Sequence, residues 1–247
     1  MPQAGYFGIA DSYYLSMLRK FVLFTLVIIP FICRAQETVE QVDKLATGFT
    51  ANYHVLKTDH NTKQGLYQVL YKRKTVVASG MYINGNKVAT WHYYDPTGKL
   101  VQHYNYDLNR LTYEAPKDTS NYKINYAFDK VTTTRDTLTR PVKIGGVFYG
   151  YMPYLNAFKI THNFYLDPDQ YVATMQLLIS PNGRLAECKL IINGKLTSEV
   201  VESFLITDDI LTEEEKRYVP ATFNGQNISS IILIACKILP NWRVSIY

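Results

Sequence analysis

Histidine and cysteine are the side chains of this 247-residue chain whose chemistry suits metal binding or nucleophilic attack. The five histidines are His54, His60, His92, His103 and His162. None of them stands in H-E-x-x-H or another metal-ligand spacing. His92 and His103 lie on consecutive predicted strands, and with Asp95 in the turn between them they form the sharpest metal hypothesis. Two imidazoles are too few for a dedicated metal site, so we expect ordinary surface histidines.

Two cysteines, Cys188 and Cys236, follow residue 35, and each lies in a predicted strand. In an oxidising compartment they can form a disulfide if their strands are adjacent and their Cα atoms lie within about 7 Å. The alternative is a pair of buried free thiols. A cysteine nucleophile needs a base nearby, and no histidine follows His162.

Other signatures of catalysis do not appear. The sequence has no G-x-S-x-G elbow, and the Gly145-Gly146 pair lacks a phosphate-loop lysine. The carboxylate pairs at 167–169 and 208–209 are typical of a turn and of a helix end. We therefore predict a non-enzymatic protein with no catalytic residue, no bound metal and no cofactor.

A 24-residue repeat between residues 65 and 106 organises the elements that would position these side chains. The offset places Tyr67 on Trp91, Val69 on Tyr93 and Tyr82 on Tyr106. Apolar residues largely alternate within each copy, and turn signals separate the runs at 83–86 and 95–98. Asn-Gly supplies the positive φ of a two-residue hairpin turn. The repeat thus predicts antiparallel β-hairpins, each covering the apolar face of its neighbour.

Tyrosine is unusually frequent, with 21 residues clustered in the repeat and its flanks. A tyrosine ring favours half-buried pleated surface with its hydroxyl in water, so the enrichment supports sheet structure. The alternative is an aromatic face that binds a ligand or glycan. The residues of this candidate binding face are Tyr67, Tyr82, Trp91, Tyr93, Tyr104 and Tyr106.

Residues 1–35 are predicted to be a removed export signal. A basic pair at 19–20 precedes a 13-residue apolar run over 21–33, and Ala35 is the small residue at the cut. Because nothing before Met17 fits such a signal, Met17 is the predicted true start. The run is shorter than the roughly 20 residues of a membrane-spanning helix; a retained short anchor is the alternative. This segment contributes +2 of the formal net charge of +5, and the +3 that remains argues against nucleic acid as a partner.

Residues 36–130 are predicted to form a β-hairpin repeat domain. Its first residues, 36–45, are polar and expected to fray, whereas the alternation over 49–55 predicts a strand. A polar loop is expected over 58–64. A third copy of the repeat is absent, so the open edge needs a cap, and the alternating run over 122–128 is the candidate capping strand.

The last part of the chain has a different pattern of predicted elements from the repeat. Residues 131–173 are predicted to be a connector with a short aromatic helix, and residues 174–247 a compact α+β domain. A hairpin begins this domain, and a helix with Ser198 as N-cap is predicted over 198–206. The Thr-Glu-Glu-Glu run at 212–215 is a capping box, and a strand follows over 228–239.

The repeat resembles a known family. The motifs are a Gly-x-Tyr from Gly65, a Tyr-x-Asn-Gly-x-Lys from Tyr82, and a Trp-x-x-Tyr-Asp-x-x-Gly-Lys-Leu from Trp91. This arrangement is similar to the MORN-repeat variant found in antitoxin-type repeat proteins, over about 45 residues. Ala89 stands where that family usually has glycine. The resemblance implies repeated hairpins and no activity.

Residues 174–239 resemble the C-terminal domain of TonB-type energy transducers. The similar runs are Met-x-Leu-x-Ile-x-Pro-Asn-Gly-Arg-Leu from Met175 and Val-Pro-Ala-Thr-Phe-Asn-Gly-Gln from Val219. The resemblance implies a small β-β-α-β module and a link to TonB-type transport. A working transducer needs a retained anchor and a long proline-rich spacer, whereas this chain has 10 scattered prolines. The module is therefore expected to keep the fold without transmitting force.

These observations predict a mostly β or α+β protein that is exported to a Gram-negative cell envelope, whether periplasmic, associated with the outer membrane or secreted. The leading hypothesis is a non-enzymatic binding or adaptor protein. It would present sheet edges and Tyr-rich faces to a protein partner, such as an outer-membrane receptor or transport component, by strand addition. No nucleic-acid partner and no membrane span after signal removal are expected. The alternatives are an envelope hydrolase or metal-dependent enzyme with a dispersed site, and a structural repeat protein at the wall or outer membrane.

Overall fold

The computed structural model describes residues 37–116, 123–130, 132–158, 160, 168–207 and 209–246, together with Met17 and Arg19. Apart from those two residues, the predicted export signal over 1–35 lies outside the described residues. His162 and the first carboxylates of the two Asp pairs, Asp167 and Asp208, also lie outside them. The expectation of a mostly β protein is confirmed, because two antiparallel sheets account for most of the described chain.

The first sheet is a seven-stranded meander in which each strand pairs with its neighbours in sequence. Its strands are β1 (Thr38–Ala46), β2 (Phe49–Leu56), β3 (Asp59–Tyr71), β4 (Thr75–Ile83), β5 (Asn86–Tyr94), β6 (Leu100–Asn105) and β7 (Arg110–Glu114). Asn84 and Gly85 have φ values of 49° and 78°, as the predicted two-residue turn requires. The Asp95 carboxylate accepts hydrogen bonds from the Thr97 and Lys99 amides and closes the other predicted turn. The hairpin prediction is confirmed.

Two predictions about the first sheet are wrong. Residues 36–45 are expected to fray, but Thr38–Ala46 forms β1, which pairs with β2 along its whole length. Of the polar loop expected over 58–64, residues 59–64 are instead the start of the 13-residue strand β3. In both places polar side chains lie on an exposed part of the sheet, where main-chain pairing to a neighbour outweighs low hydrophobicity.

The second sheet is built from the last third of the chain and one earlier strand. Its elements and their neighbours are β8 (Ile124–Ala127), β9 (Val142–Lys143), α1 (Gly146–Gly150), α2 (Met152–Ala157), β10 (Tyr171–Ile179), β11 (Leu185–Gly194), β12 (Val200–Leu205), β13 (Tyr218–Val219), β14 (Ala221–Phe223), β15 (Gln226–Ile228), β16 (Ser230–Ile238) and β17 (Val244–Ser245). The strand order is β12-β11-β10-β16-β17, with β8 also paired to β16.

Strand β8 corrects the prediction of a capping strand for the repeat. The strand expected within 122–128 forms, but it pairs antiparallel with residues 231–234 of β16 and not with β7. The first sheet therefore ends at β7 among the described residues. The chain crosses to the second sheet before the predicted boundary at residue 130.

The helix predicted over 198–206 is also wrong, because Val200–Leu205 is the strand β12, paired with β11. Its apolar residues fit a helical face and a strand almost equally well over so short a run. The β-branched pair Val200-Val201 and the free edge of β11 favour the strand. The capping box at 212–215 does form: the Thr212 hydroxyl donates to Glu215 Oε2 at 2.9 Å, and the Glu215 amide donates to the Thr212 hydroxyl at 3.3 Å.

The two short helices lie between the sheets. Phe148 and Met152 pack in the core of the first sheet, whereas Tyr151 and Tyr154 pack in the core of the second. This alternation within eight residues places α1 and α2 against both inner faces. The predicted aromatic helix is therefore the layer that joins the two sheets.

Candidate functional site

The two predicted strand histidines meet, but they do not assemble a metal site. His92 on β5 stands directly opposite His103 on β6, with ring centroids 4.5 Å apart. Burial, and then the neighbouring His103, lowers the pKa of His92. The Asp95 carboxylate is engaged elsewhere, because it accepts hydrogen bonds from the amide and hydroxyl of Thr97 and from the Lys99 amide. No cluster of three or more metal-ligating side chains occurs in the described part of the chain, so the hypothesis of a three-residue site is wrong.

The two described cysteines are buried free thiols. Cys188 on β11 is opposite Leu177 of β10, and Cys236 on β16 is opposite Ala173 of the same strand. Strand β10 thus separates them by two strand spacings across the sheet, about 9–10 Å, and their partners on β10 are also four residues apart along the strand, so the two cysteines lie beyond the reach of a disulfide. Of the two alternatives, the disulfide is wrong and the free thiols are observed. Burial raises the pKa of both thiols, that of Cys236 to about 12.

The candidate aromatic face is not an open surface. Tyr67, Trp91, Tyr93 and Tyr104 are at most 7% exposed, because they form the inner face of the first sheet. Their rings and those of Tyr82 and Tyr106 lie close together, with Trp91 5.3–5.7 Å from the rings of Tyr67, Tyr82 and Tyr106. The rings of the inner face are therefore packed, as the first of the two alternatives has it, and they do not form an open surface. The 24-residue offset identified these positions correctly, because equivalent residues of both copies face the same core.

An ion pair lies on this aromatic layer, between Lys87, whose side chain is 11% exposed, and Glu214, whose side chain is 43% exposed. Lys87 Nζ lies 4.1 Å from the centroid of the Trp91 ring and pairs with Glu214 of the capping-box turn. The same carboxylate accepts a hydrogen bond of 3.0 Å from the Tyr106 hydroxyl. Burial lowers the pKa of Lys87, and the adjacent Glu214 opposes that shift. The contact ties the first sheet to a turn more than 100 residues later in the chain.

The neighbouring residues of the same turn reinforce this connection. Lys143 Nζ donates to the main-chain carbonyls of Glu215 and Arg217, and the Tyr154 hydroxyl donates to the Glu215 carbonyl at 2.6 Å. Lys143 also lies 4.6 Å from the ring centroid of Tyr218. Burial lowers its pKa to about 7. The Lys143 ammonium therefore holds the turn by hydrogen bonds and aromatic contact in place of a carboxylate partner.

A cavity of about 500 Å³ lies between the aromatic layer, the two helices and the capping-box turn. Its polar lining includes Lys63, Lys87, Glu214 and Asn156. Tyrosine rings from the first sheet and from α1 form one wall, and these are Tyr67, Tyr82, Tyr93, Tyr106 and Tyr149. Four residues of the candidate binding face line this cavity, whereas its other lining residues come from distant segments that no sequence motif connects. The only signal was the tyrosine enrichment.

The second prominent feature is the free edge of β12. Val200, Val201 and Leu205 are 63%, 42% and 61% exposed. The strand pairs with β11 on one side only, and among the described strands nothing pairs with its other side. An exposed apolar edge strand is a template for pairing with another chain.

Comparison of the chain with family models, with curated proteins and with solved structures finds no match. Within the described residues, no helix has both the length and the apolar composition needed to cross a membrane.

Proposed function

We propose that this protein is an exported, non-enzymatic binding protein of the cell envelope that pairs an extended segment of a protein partner with the edge strand β12. The observation that carries the proposal is the run of exposed apolar residues on this unpaired edge. Strand addition supplies main-chain hydrogen bonds for affinity, while side chains on alternate positions supply specificity.

The hydrogen-bond pattern of β12 identifies the groups available to the partner. The Ile206 amide donates to the Cys188 carbonyl at 2.9 Å, so this opposite pair is hydrogen-bonded. Such pairs alternate along an antiparallel ladder. Phe204 and Glu202 therefore bond to β11, whereas the amides and carbonyls of Ser203 and Leu205 point away from it. An incoming strand would bond to these outward groups.

The other long edge is less suited to this role. Strand β1 has exposed charged residues at Glu40, Asp43 and Lys44, and charges on an edge oppose pairing with another chain. At the end of β7, Glu114 is already paired with Arg140. Strand β12 carries one charged residue, Glu202, and that residue is half-buried. The composition of the edges thus favours β12 as the docking strand.

The test replaces Ser203 by proline. Because the Ser203 amide points outward, Ser203→Pro removes a donor to the partner without removing a bond to β11. Ser203→Thr is the matched control, since it keeps the amide and favours strand structure. A photo-crosslinking residue in place of Leu205 would identify the partner in envelope extracts. It is introduced into the unmodified chain and into each of the two Ser203 variants.

We expect one protein partner to crosslink in the unmodified and Ser203→Thr backgrounds and to disappear with Ser203→Pro, while circular dichroism shows an unchanged fold. Equal crosslinking in the proline variant would refute strand addition at this edge. Crosslinking to a second copy of this chain alone would replace the adaptor function with self-association.

A further inference from the structure

The cavity between the sheets has an uneven distribution of charge. Of its three lysines, Lys87 is paired with Glu214, and Lys143 donates to main-chain carbonyls. Lys63 forms no ion pair with any described residue. Its Nζ lies over two tyrosine rings, 5.3 Å from the centroid of Tyr53 and 5.6 Å from that of Tyr82. A cation that contacts only aromatic faces has its donors available to an anion.

Hydroxyl donors lie on the same side of the cavity. The Tyr82 hydroxyl makes no hydrogen bond to another described residue, although the side chain is half-buried. By contrast, the hydroxyls of Tyr93 and Tyr106 are 3.0 Å apart, and Tyr106 donates to Glu214. Lys63 and Tyr82 are thus polar residues of this wall whose hydrogen-bond donors are not used by other described residues. Together they offer an ammonium and a phenol to one small anion.

Among the described residues, the carboxylates close to this wall do not oppose an anion strongly. Asp43 accepts a hydrogen bond from the Tyr53 hydroxyl. Glu214 is neutralised by Lys87 and accepts the Tyr106 hydrogen bond. Glu215, the other acidic residue of the lining, bonds through Oε2 to the amide and hydroxyl of Thr212. With these carboxylates engaged and the Lys143 ammonium donating to main-chain carbonyls, Lys63 is the lysine of the lining whose ammonium has neither a hydrogen-bond partner nor an ion-pair partner among the described residues.

Apart from Asn156 and Thr212, the remainder of the lining is apolar. Leu45 contributes from β1, Ile144 and Met152 from the helical layer, and Leu211 from the capping-box segment. A volume of about 500 Å³ lies within the range of small-molecule sites, which are mostly apolar with a few placed polar groups. The cavity therefore suits a molecule with one charged end and a hydrocarbon body.

We propose that this cavity binds an amphiphilic monocarboxylate, of the class of medium-chain fatty acids. Its carboxylate lies between Lys63 Nζ and the Tyr82 hydroxyl, and its alkyl chain lies along Leu45, Ile144 and Met152. The site is separate from the β12 edge. Its occupancy is independent of strand addition, so each proposal can fail without the other.

The test is isothermal titration of the full exported chain with decanoate. We expect saturable binding at one site. Lys63→Met should weaken it about tenfold or more, because a hydrogen bond to a charged group is lost. Tyr82→Phe should weaken it by a smaller factor, since it removes one neutral donor. Lys74→Met, at an exposed hairpin turn, is the matched control and should bind as the unmodified chain does.

Decanol tests the charged end of the ligand separately from its hydrocarbon body. Decanol should bind the unmodified chain at least tenfold more weakly than decanoate does. It should bind the Lys63→Met variant as tightly as it binds the unmodified chain. No saturable decanoate binding up to about 1 mM would overturn the proposal. Decanol binding as tight as decanoate binding, or an equal loss in Lys74→Met, would also overturn it. Thermal unfolding of each variant verifies that the fold is kept.

Discussion

Ala89 is the position where the repeat departs from glycine and where one substitution tests the backbone geometry most directly. It has φ 54°, and its counterpart 24 residues earlier, Gly65, has φ 92°. The left-handed conformation costs a residue with a Cβ about 1–2 kcal/mol, and glycine avoids that cost. We expect Ala89→Gly to stabilise the protein, although glycine normally weakens a strand.

The magnitude follows from what the substitution changes. Removal of the Cβ relieves about 1–2 kcal/mol of strain, while the greater freedom of the unfolded chain opposes it by about 0.4–1 kcal/mol. Little packing is lost, because Ala89 is exposed. Its main-chain hydrogen bonds to Asp107 Oδ1, at 3.0 Å, and from the Tyr106 amide, at 2.9 Å, remain. The net gain is about 0.5–1 kcal/mol, or about 1–4 °C in Tm.

Urea unfolding followed by circular dichroism measures the effect, with two reference variants. Gly65→Ala should lose about 0.5–1 kcal/mol through the backbone alone, because the nearest atom to its new Cβ is His54 Cβ at 4.0 Å. Ala235→Gly, at an exposed position of β16 with ordinary φ, should lose about 0.5–1 kcal/mol. If Ala89→Gly destabilises as much as Ala235→Gly does, the left-handed geometry of the repeat is refuted.

Three further predictions concern the core. Gly80→Ala should destabilise by about 3 kcal/mol, because its Cβ would lie 2.2 Å from atoms of the buried Trp91 indole; urea unfolding measures this. Cys188 and Cys236 should resist a thiol reagent in the folded protein and react fully after unfolding, without prior reduction. Burial raises the pKa of Tyr67 to about 12, so its stabilising contribution is present below pH 10 and is lost as pH rises from 10 through 12. Tyrosine absorbance and near-ultraviolet circular dichroism should therefore change together in that window.

For each of these three predictions, a specific experimental result would contradict it. Stability of Gly80→Ala within 0.5 kcal/mol of the unmodified chain, on the scale of a surface substitution, would show that the indole is not fixed as described. Rapid thiol labelling in the native state would contradict burial of the cysteines. Titration of all tyrosines near pH 10 with tertiary structure retained would contradict burial of Tyr67.

The sequence determined those features that depend on neighbouring residues. The Asn84-Gly85 turn, the Asp95 turn and the alternation of Tyr67 and Trp91 onto one face follow from local backbone preferences and the two-residue period of a strand. The capping box at Thr212 forms for the same reason, since its hydrogen bonds join residues three apart. For these features, the residues that interact are close neighbours in the sequence.

Only the tertiary structure decided which elements meet. Strand β8 pairs with β16 and not with β7, and residues 200–205 form a strand because β11 has a free edge. The tyrosine face is buried because α1 and α2 cover it. Lys87 and Glu214, far apart in the chain, form a pair that no local pattern signals. Long-range pairing and burial depend on which surfaces the whole chain brings together, and a residue's own neighbours in sequence do not carry that information.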